Sequence, residues 1–295
     1  MDLNTFIIAV FCEMDDWLKE GGRPRQRGPA PKLCDSEVLT MELVGEFLGM
    51  DTDKGIYLYF KRHYAHFFPA LCQIHRTTFA RQAANLWKLK ERLWQDLLKN
   101  RIVGDSAVSL VDSFPVPVCR RGRSHRCKML AGLCSYGYDE TERGFYYGLR
   151  AHLLVRWPGV VVGMSLAPAN THDLRVAEEL LEEVVSGWVL GDRNYWSPKL
   201  AEELRGARGV NLLTPYKVAK GERKPWPLWL VQKRRRIETV IGQLVGRYNA
   251  KKVWARDEWH LHSRWLRKLL SHTFAVCLCQ HADLSPLRFS ELLTD

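Results

Sequence analysis

Two long apolar runs constrain this chain most: Phe145 to Trp157 (FYYGLRAHLLVRW) and Val160 to Leu166 (VVVGMSL), divided only by Pro158-Gly159. Runs of this β-branched and aromatic make-up, separated by a Pro-Gly turn signal, predict two adjacent strands. A third run, Ala107 to Phe114 (AVSLVDSF), reads as a strand with one carboxylate, Asp112, near its end. Downstream, Asp173 to Val185 predicts a helix capped from Thr171 or Asp173, and Trp188 to Leu190 a short strand that Gly191-Asp192 ends. Ser197 before Pro198 is a helix start, with Ser as cap and Pro at the first position, and Val210 to Thr214 gives a further strand.

Upstream of about Asp105 the texture is different. Asp35-Ser36-Glu37 offers capping before Val38, Leu39, Met41, Leu43, Val44 and Phe47 at helical spacing, and a second amphipathic helix is expected from Thr77 to Leu98. Between the amino-terminal residues and these helices lies Gly21 to Pro31, a Gly/Pro/Arg-rich segment expected to be a mobile basic loop. A helical amino-terminal domain over residues 1–104 and an α/β domain over 105–295 follow. The order of elements in the second resembles a ribonuclease H-like mixed sheet flanked by helices. The helical part suits either a DNA-binding module or a packing domain without a ligand, and its sequence leaves both open.

Charge narrows the partners. The chain carries a formal net charge of +11 and a pI near 9.3, which favours nucleic acid or an anionic surface. No apolar run approaches the ~18 residues a membrane span needs. Phe6 to Cys12 is short and lacks preceding basic residues, so no signal peptide is expected and a cytoplasmic location is the default. Between Pro215 and His272 there are 15 Lys and Arg against 4 Asp and Glu, an excess equal to the net charge of the whole chain. A second basic cluster, Arg120, Arg121, Arg123, Arg126 and Lys128, follows the Asp112 strand. Such surfaces grip phosphate backbones with little sequence preference. Trp226, Trp229, Trp254, Trp259 and Trp265 are interleaved with the first cluster, and most are expected in the core. The eight cysteines show no paired two-residue spacing; Cys119, His125, Cys127 and Cys134 could enclose a metal, but free thiols are the expectation.

Three acids stand out against this background. Asp112 and Asp192 close strands, a common position for active-site residues in α/β sheets. Glu238 opens a helix whose apolar stripe reads Ile237, Ile241, Leu244, Val245 and Tyr248, which puts its carboxylate at the stripe's edge, pointing toward the sheet. A carboxylate amid Lys233, Arg234, Arg235 and Arg236 suits a metal ligand beside a phosphate. Hard cations such as Mg2+ take oxygen ligands, and two of them about 4 Å apart can drive phosphodiester chemistry. Taken singly, each acid also has a bland explanation in a turn, a helix approach or a surface ion pair.

The segments LVDSFPVPVC, LAPANTHD, LGDRNYWSP and RRRIETVIGQLVGRY resemble the DDE transposases of bacterial insertion sequences, most closely insertion-sequence family nine-eighty-two. DSEVLTMELVGEFLGMDTDKGIYLYF and IHRTTFARQAANLW extend the resemblance into the helical part. It implies a ribonuclease H-like catalytic domain, with Asp112, Asp192 and Glu238 as catalytic acids and ligands of two Mg2+ ions, which Mn2+ could replace. It further implies cleavage at terminal inverted repeats, transfer of 3′-hydroxyl ends into target DNA, action in the bacterial cytoplasm at the nucleoid, and a homo-oligomer on paired ends. Related transposases often place a Tyr, an Arg and a Lys around the glutamate; Arg234 matches the Arg, while Val231 and Val245 occupy the other positions. Arg234, Arg235, Lys233, Arg120, Arg121 and Arg193 are the expected DNA contacts. The resemblance also places Asn170-Thr171-His172-Asp173 near the active site, although helix capping by Asp173 is the favoured reading, and Arg193, Asn194 and Tyr195 could reach phosphates or orient Asp192. Two other functions fit the same residues: a metal-dependent nuclease that does not join, and a DNA-binding protein that has lost catalysis.

Overall fold

The computed structural model describes residues 1–22, 29–102, 105–215, 226–252 and 254–293. Most of the expected basic loop from Gly21 to Pro31, and residues 216–225 and 253 of the basic region, lie outside them. The chain forms two compact units, one of residues 1–102 with 244–295 and the other of 103–243.

The first unit is helical. Its amino-terminal helices are α1 (Leu3–Trp17), α2 (Asp35–Phe47), α3 (Asp53–His63), α4 (Arg76–Asn85) and α5 (Trp87–Asn100). The single helix expected from Thr77 to Leu98 is two, broken at Leu86, where ψ turns to 9°. Periodicity hides the break: buried Phe79, Ala83, Leu86, Lys90, Leu93 and Leu97 keep helical spacing straight through it. The start of α2 also differs by a residue from expectation. Cys34 precedes it, and the Glu37 carboxylate accepts from the Cys34 N–H at 2.7 Å.

The second unit is built on a mixed sheet of strands β1 (Asp105–Arg120), β2 (Ser135–Asp139), β3 (Gly144–Trp157), β4 (Val160–Pro168), β5 (Gly187–Leu190) and β6 (Val210–Leu213). The β3–β4 pair turns at Pro158-Gly159 as the sequence demands. Along one edge of β3 run β2 and then β4; along the other lies β1, followed by β5 and β6. The first pairs are antiparallel, while β1–β5 and β5–β6 are parallel. β1 is twice as long as expected because it continues through Pro115 and Pro117. Its register with β5 ends at Leu110, so the missing N–H groups of the prolines can face an open strand edge.

Helices α6 (Asp173–Leu180) and α7 (Pro198–Arg208) cover one face, burying Val111, Leu154, Ala177, Leu180, Val189, Tyr195, Leu200 and Leu204 in one apolar cluster. The Ser197 hydroxyl accepts from Leu200 N–H at the start of α7, and Gly209 closes it in a left-handed conformation. Helix α8 (Leu228–Gly246) follows β6, and α9 (Glu258–His281) follows α8.

The residues from Leu244 onward group with the amino-terminal helices, whereas the change of texture near Asp105 suggested one carboxy-terminal domain. Buried charge accounts for it. Glu42 and Glu46 of α2 are almost fully buried, and their partners come from α5 and from α9. Lys90 Nζ lies 2.9 Å from Glu42, Arg267 Nε 2.6 Å from Glu46, and Lys268 Nζ 3.0 Å from Glu46. Arg267 also reaches Asp53 at 2.7 Å. Carboxylates buried this deeply are tolerable only when paired, which ties α9 to α2 and α5.

Candidate active site

The last residues that β1 and β5 pair with each other are Leu110 and Leu190. Two residues beyond each is an aspartate: Asp112 and Asp192. Both therefore lie past the end of a parallel pairing, but Asp112 does not close its strand as expected: it sits midway along β1, which runs on to Arg120, and pairs with Leu153 of β3. Where parallel strands lie side by side, ligand sites form outside their carboxyl ends. Gly191 lets the approach be tight, since a Cβ there would come within 3.0 Å of Tyr195 and 3.1 Å of Val111.

The environment makes both charges costly. Burial pushes the Asp112 carboxyl up to about 6, helped by repulsion from Asp192 and opposed by the Ser113 N–H and by Arg234. Asp192 is raised too, first by burial and then by repulsion from Asp173, against donation from the Asn194 N–H at 2.8 Å. Asp192 also accepts from the Asn194 side chain at 3.2 Å and caps the single turn Arg193–Tyr195.

Glu238 sits on α8, joined to Asp112 through Arg234. That guanidinium donates to Glu238 Oε1 at 2.9 Å and lies 3.6 Å from Asp112 Oδ2. The glutamate is more exposed than its sequence suggests, with 51% of its side chain open. Helix α8 buries Leu230, Ile237, Val240 and Leu244, so Val240 takes the place expected for Ile241 and Glu238 faces outward.

Asp173 belongs to the same neighbourhood, which capping does not explain. The cap of α6 is His172, whose ring accepts from the Leu174 N–H at 3.2 Å. The buried Asp173 carboxylate instead accepts from the Ser113 hydroxyl at 3.2 Å and faces Arg150 Nε at 3.5 Å and His152 Nδ1 at 3.7 Å. Arg150 closes the cluster by donating to the Ser113 oxygen at 2.9 Å. Burial outweighs Asp173 and pushes His152 down to about 4, leaving a neutral ring. A signal was present in the sequence. Arg150 and His152 alternate within a mostly apolar strand, so they share one face and call for a polar partner there.

The expected DNA contacts divide. Arg120, Arg121, Arg193 and Arg235 are exposed. Lys233 is half-buried, its ammonium 3.8 Å from the centre of the Trp157 ring, with Arg236 at 5.1 Å. Tyr195 is 1% exposed within the apolar cluster, so it cannot reach a phosphate, and Asp173, Asp112 and Asp192 raise its phenol further after burial. Of the five tryptophans expected mostly in the core, Trp265 alone is buried; Trp229, Trp254 and Trp259 are exposed.

The family model of the transposase DDE domain matches residues 104–252, just over half of the chain. The chain belongs to the DDE-domain transposases. No curated protein matches it. Membership makes the transposase a nucleic-acid-processing enzyme with DNA as its partner, and the matched span includes Asp112, Asp192 and Glu238. Among the described residues of the transposase, no helix is long and apolar enough to cross a membrane. Nor does any group of three His, Cys, Asp or Glu side chains among them converge closely enough to hold a metal ion.

Proposed function

We propose that this transposase cuts DNA at terminal inverted repeats and joins the freed 3′-hydroxyls to target DNA, with Asp112, Asp192 and Glu238 as its acids. The observation that carries this is the twin placement of Asp112 and Asp192, each two residues past the last pair of adjacent parallel strands. The mixed order of strands supports a ribonuclease H-like fold. The motifs quoted above favour the nine-eighty-two group among insertion sequences.

The donor set fits a hard divalent cation. Two carboxylates that burial and mutual repulsion hold in unfavourable surroundings gain by sharing positive charge. Asp112 and Asp192 would hold Mg2+ or Mn2+, and Glu238 would join once its pair with Arg234 opens. When bound, two such ions activate the attacking oxygen and stabilise the leaving one. The chain's own part is to fix the acids and grip DNA. Arg234 keeps Glu238 and Asp112 together before metal arrives, and the exposed Arg193 and Arg235 are placed to hold phosphates. The helical unit is proposed to bind element ends, with copies of the chain pairing two ends in the bacterial cytoplasm at the nucleoid.

An excision and insertion assay on a plasmid with the gene's native flanking DNA tests this, comparing wild type with Asp192→Asn. Excision and new insertions with wild type only are expected. Cleavage without joining would identify a nuclease, and end binding without either reaction an inactive DNA-binding protein. Asp192→Asn working at the wild-type rate would remove Asp192 from the chemistry.

A further inference from the structure

The β2–β3 hairpin has two unlike faces. Its inner face is packed so closely that a Cβ on Gly137 would come within 2.8 Å of Ala169 and 2.9 Å of Tyr146, which is buried. Its outer face is a ladder of aromatic rings. Tyr136 pairs with Tyr147 and Tyr138 with Phe145 in register, and the ring centres lie 5.4 Å and 5.0 Å apart. Tyr136, Tyr138 and Phe145 are 53%, 45% and 57% exposed, a large apolar area to leave in water.

The rim of this ladder is basic. The turn Arg121–Arg126 leads out of β1, and Arg120, Arg121, Arg123, Arg126 and Lys128 are all exposed. Arg121 stacks its guanidinium 5.0 Å from the centre of the Phe145 ring, and Ser124 and Tyr136 share a hydroxyl hydrogen bond of 2.8 Å. The acids of the hairpin gather at its turn, where Asp139 is buried and accepts from the Thr141 and Glu142 N–H groups.

We infer that the outer face of the β2–β3 hairpin is a stacking platform for unpaired DNA bases, with the arginines of the Arg121–Arg126 turn holding the phosphates between them. Exposed rings flanked by cations recognise single strands because every base has a π face and every linkage a charge. A fully paired duplex hides its base faces and would use only the cations. The choice of DNA rests on the transposase membership; the choice of unpaired bases rests on the ladder.

The test is fluorescence anisotropy with a labelled oligothymidine and, separately, a fully paired duplex, using wild type, Tyr138→Thr/Phe145→Thr and Tyr138→Trp/Phe145→Trp. Threonine keeps the strand, and unchanged thermal unfolding checks the fold. The threonine variant is expected to bind oligothymidine about tenfold more weakly while duplex binding stays level, and the tryptophan variant to hold the wild-type affinity. Equal oligothymidine binding by the threonine variant, or equal loss on both probes, overturns the inference. End cleavage is followed in parallel. A wild type that never cuts yet shows ring-dependent oligothymidine binding would sink the proposed function and keep this one.

Discussion

Arg234 occupies the place where a metal and a guanidinium compete. Its charge lies 2.9 Å from Glu238 and 3.6 Å from Asp112, so it holds both acids while opposing any cation that approaches them. Arg234→Ala should therefore bind Mn2+ about fivefold more tightly, allowing for solvent screening of this half-exposed pair. The same variant should cut ends on the order of a hundredfold more slowly, having lost a positioned donor. Calorimetric titration with Mn2+ separates the two effects; unchanged affinity would mean that Arg234 does not shield the acids. At this scale the sequence was partly legible. Asp112 stands out because a carboxylate in AVSLVDSF has no apolar reason to be there. Asp173 did not, because an aspartate ahead of a helix has a ready local explanation, and the competing one required knowing that Ser113, Arg150 and His152 meet it across three elements.

Among the elements, α2 and α9 behave unlike amphipathic surface helices. They bury residues around most of their circumference, and Glu42, Glu46, Arg267 and Lys268 fall inside. Lys90→Met should cost about 3–5 kcal/mol, because it strands the Glu42 carboxylate away from water with Arg267 only at 3.4 Å. Lys90→Met/Glu42→Leu should recover most of that loss in urea unfolding, since an apolar pair needs no partner. A single variant as stable as wild type would show that Glu42 is protonated or hydrated in the fold. Strand periods and the Pro158-Gly159 turn were legible because they are local patterns. The break at Leu86 and the short strand β2 were not, since one leaves the helical period intact and the other, SYGYD, is five residues long and has no aliphatic side chain to mark it.

For the whole molecule, acid should act through buried histidine. His272 on α9 is fully buried among Tyr248 and Phe289, and burial pushes it down to about 3. In the unfolded chain it takes a proton near 6.5, so the unfolded state binds more protons between these values and stability falls as pH drops through them. From about pH 7 to about pH 5 this residue accounts for about 2 kcal/mol, which His272→Phe should abolish. His152 acts in the same direction and Asp112 in the opposite one, but both are common to the two proteins compared. Urea unfolding at the two pH values checks it; parallel losses in wild type and variant would clear His272.

The helical unit is written in two pieces, residues 1–102 and 244–295, around the sheet. On a ribosome, the first piece emerges with Glu42, Glu46 and Lys90 already made, but Arg267 and Lys268 arrive well over a hundred residues later. At ordinary elongation rates that delay is on the order of ten seconds. The nascent sheet can mature during this wait, whereas α2 and α5 cannot settle until the end of translation delivers α9. A message cut short by a premature stop would therefore leave the opening helices unfinished as well as removing the closing one.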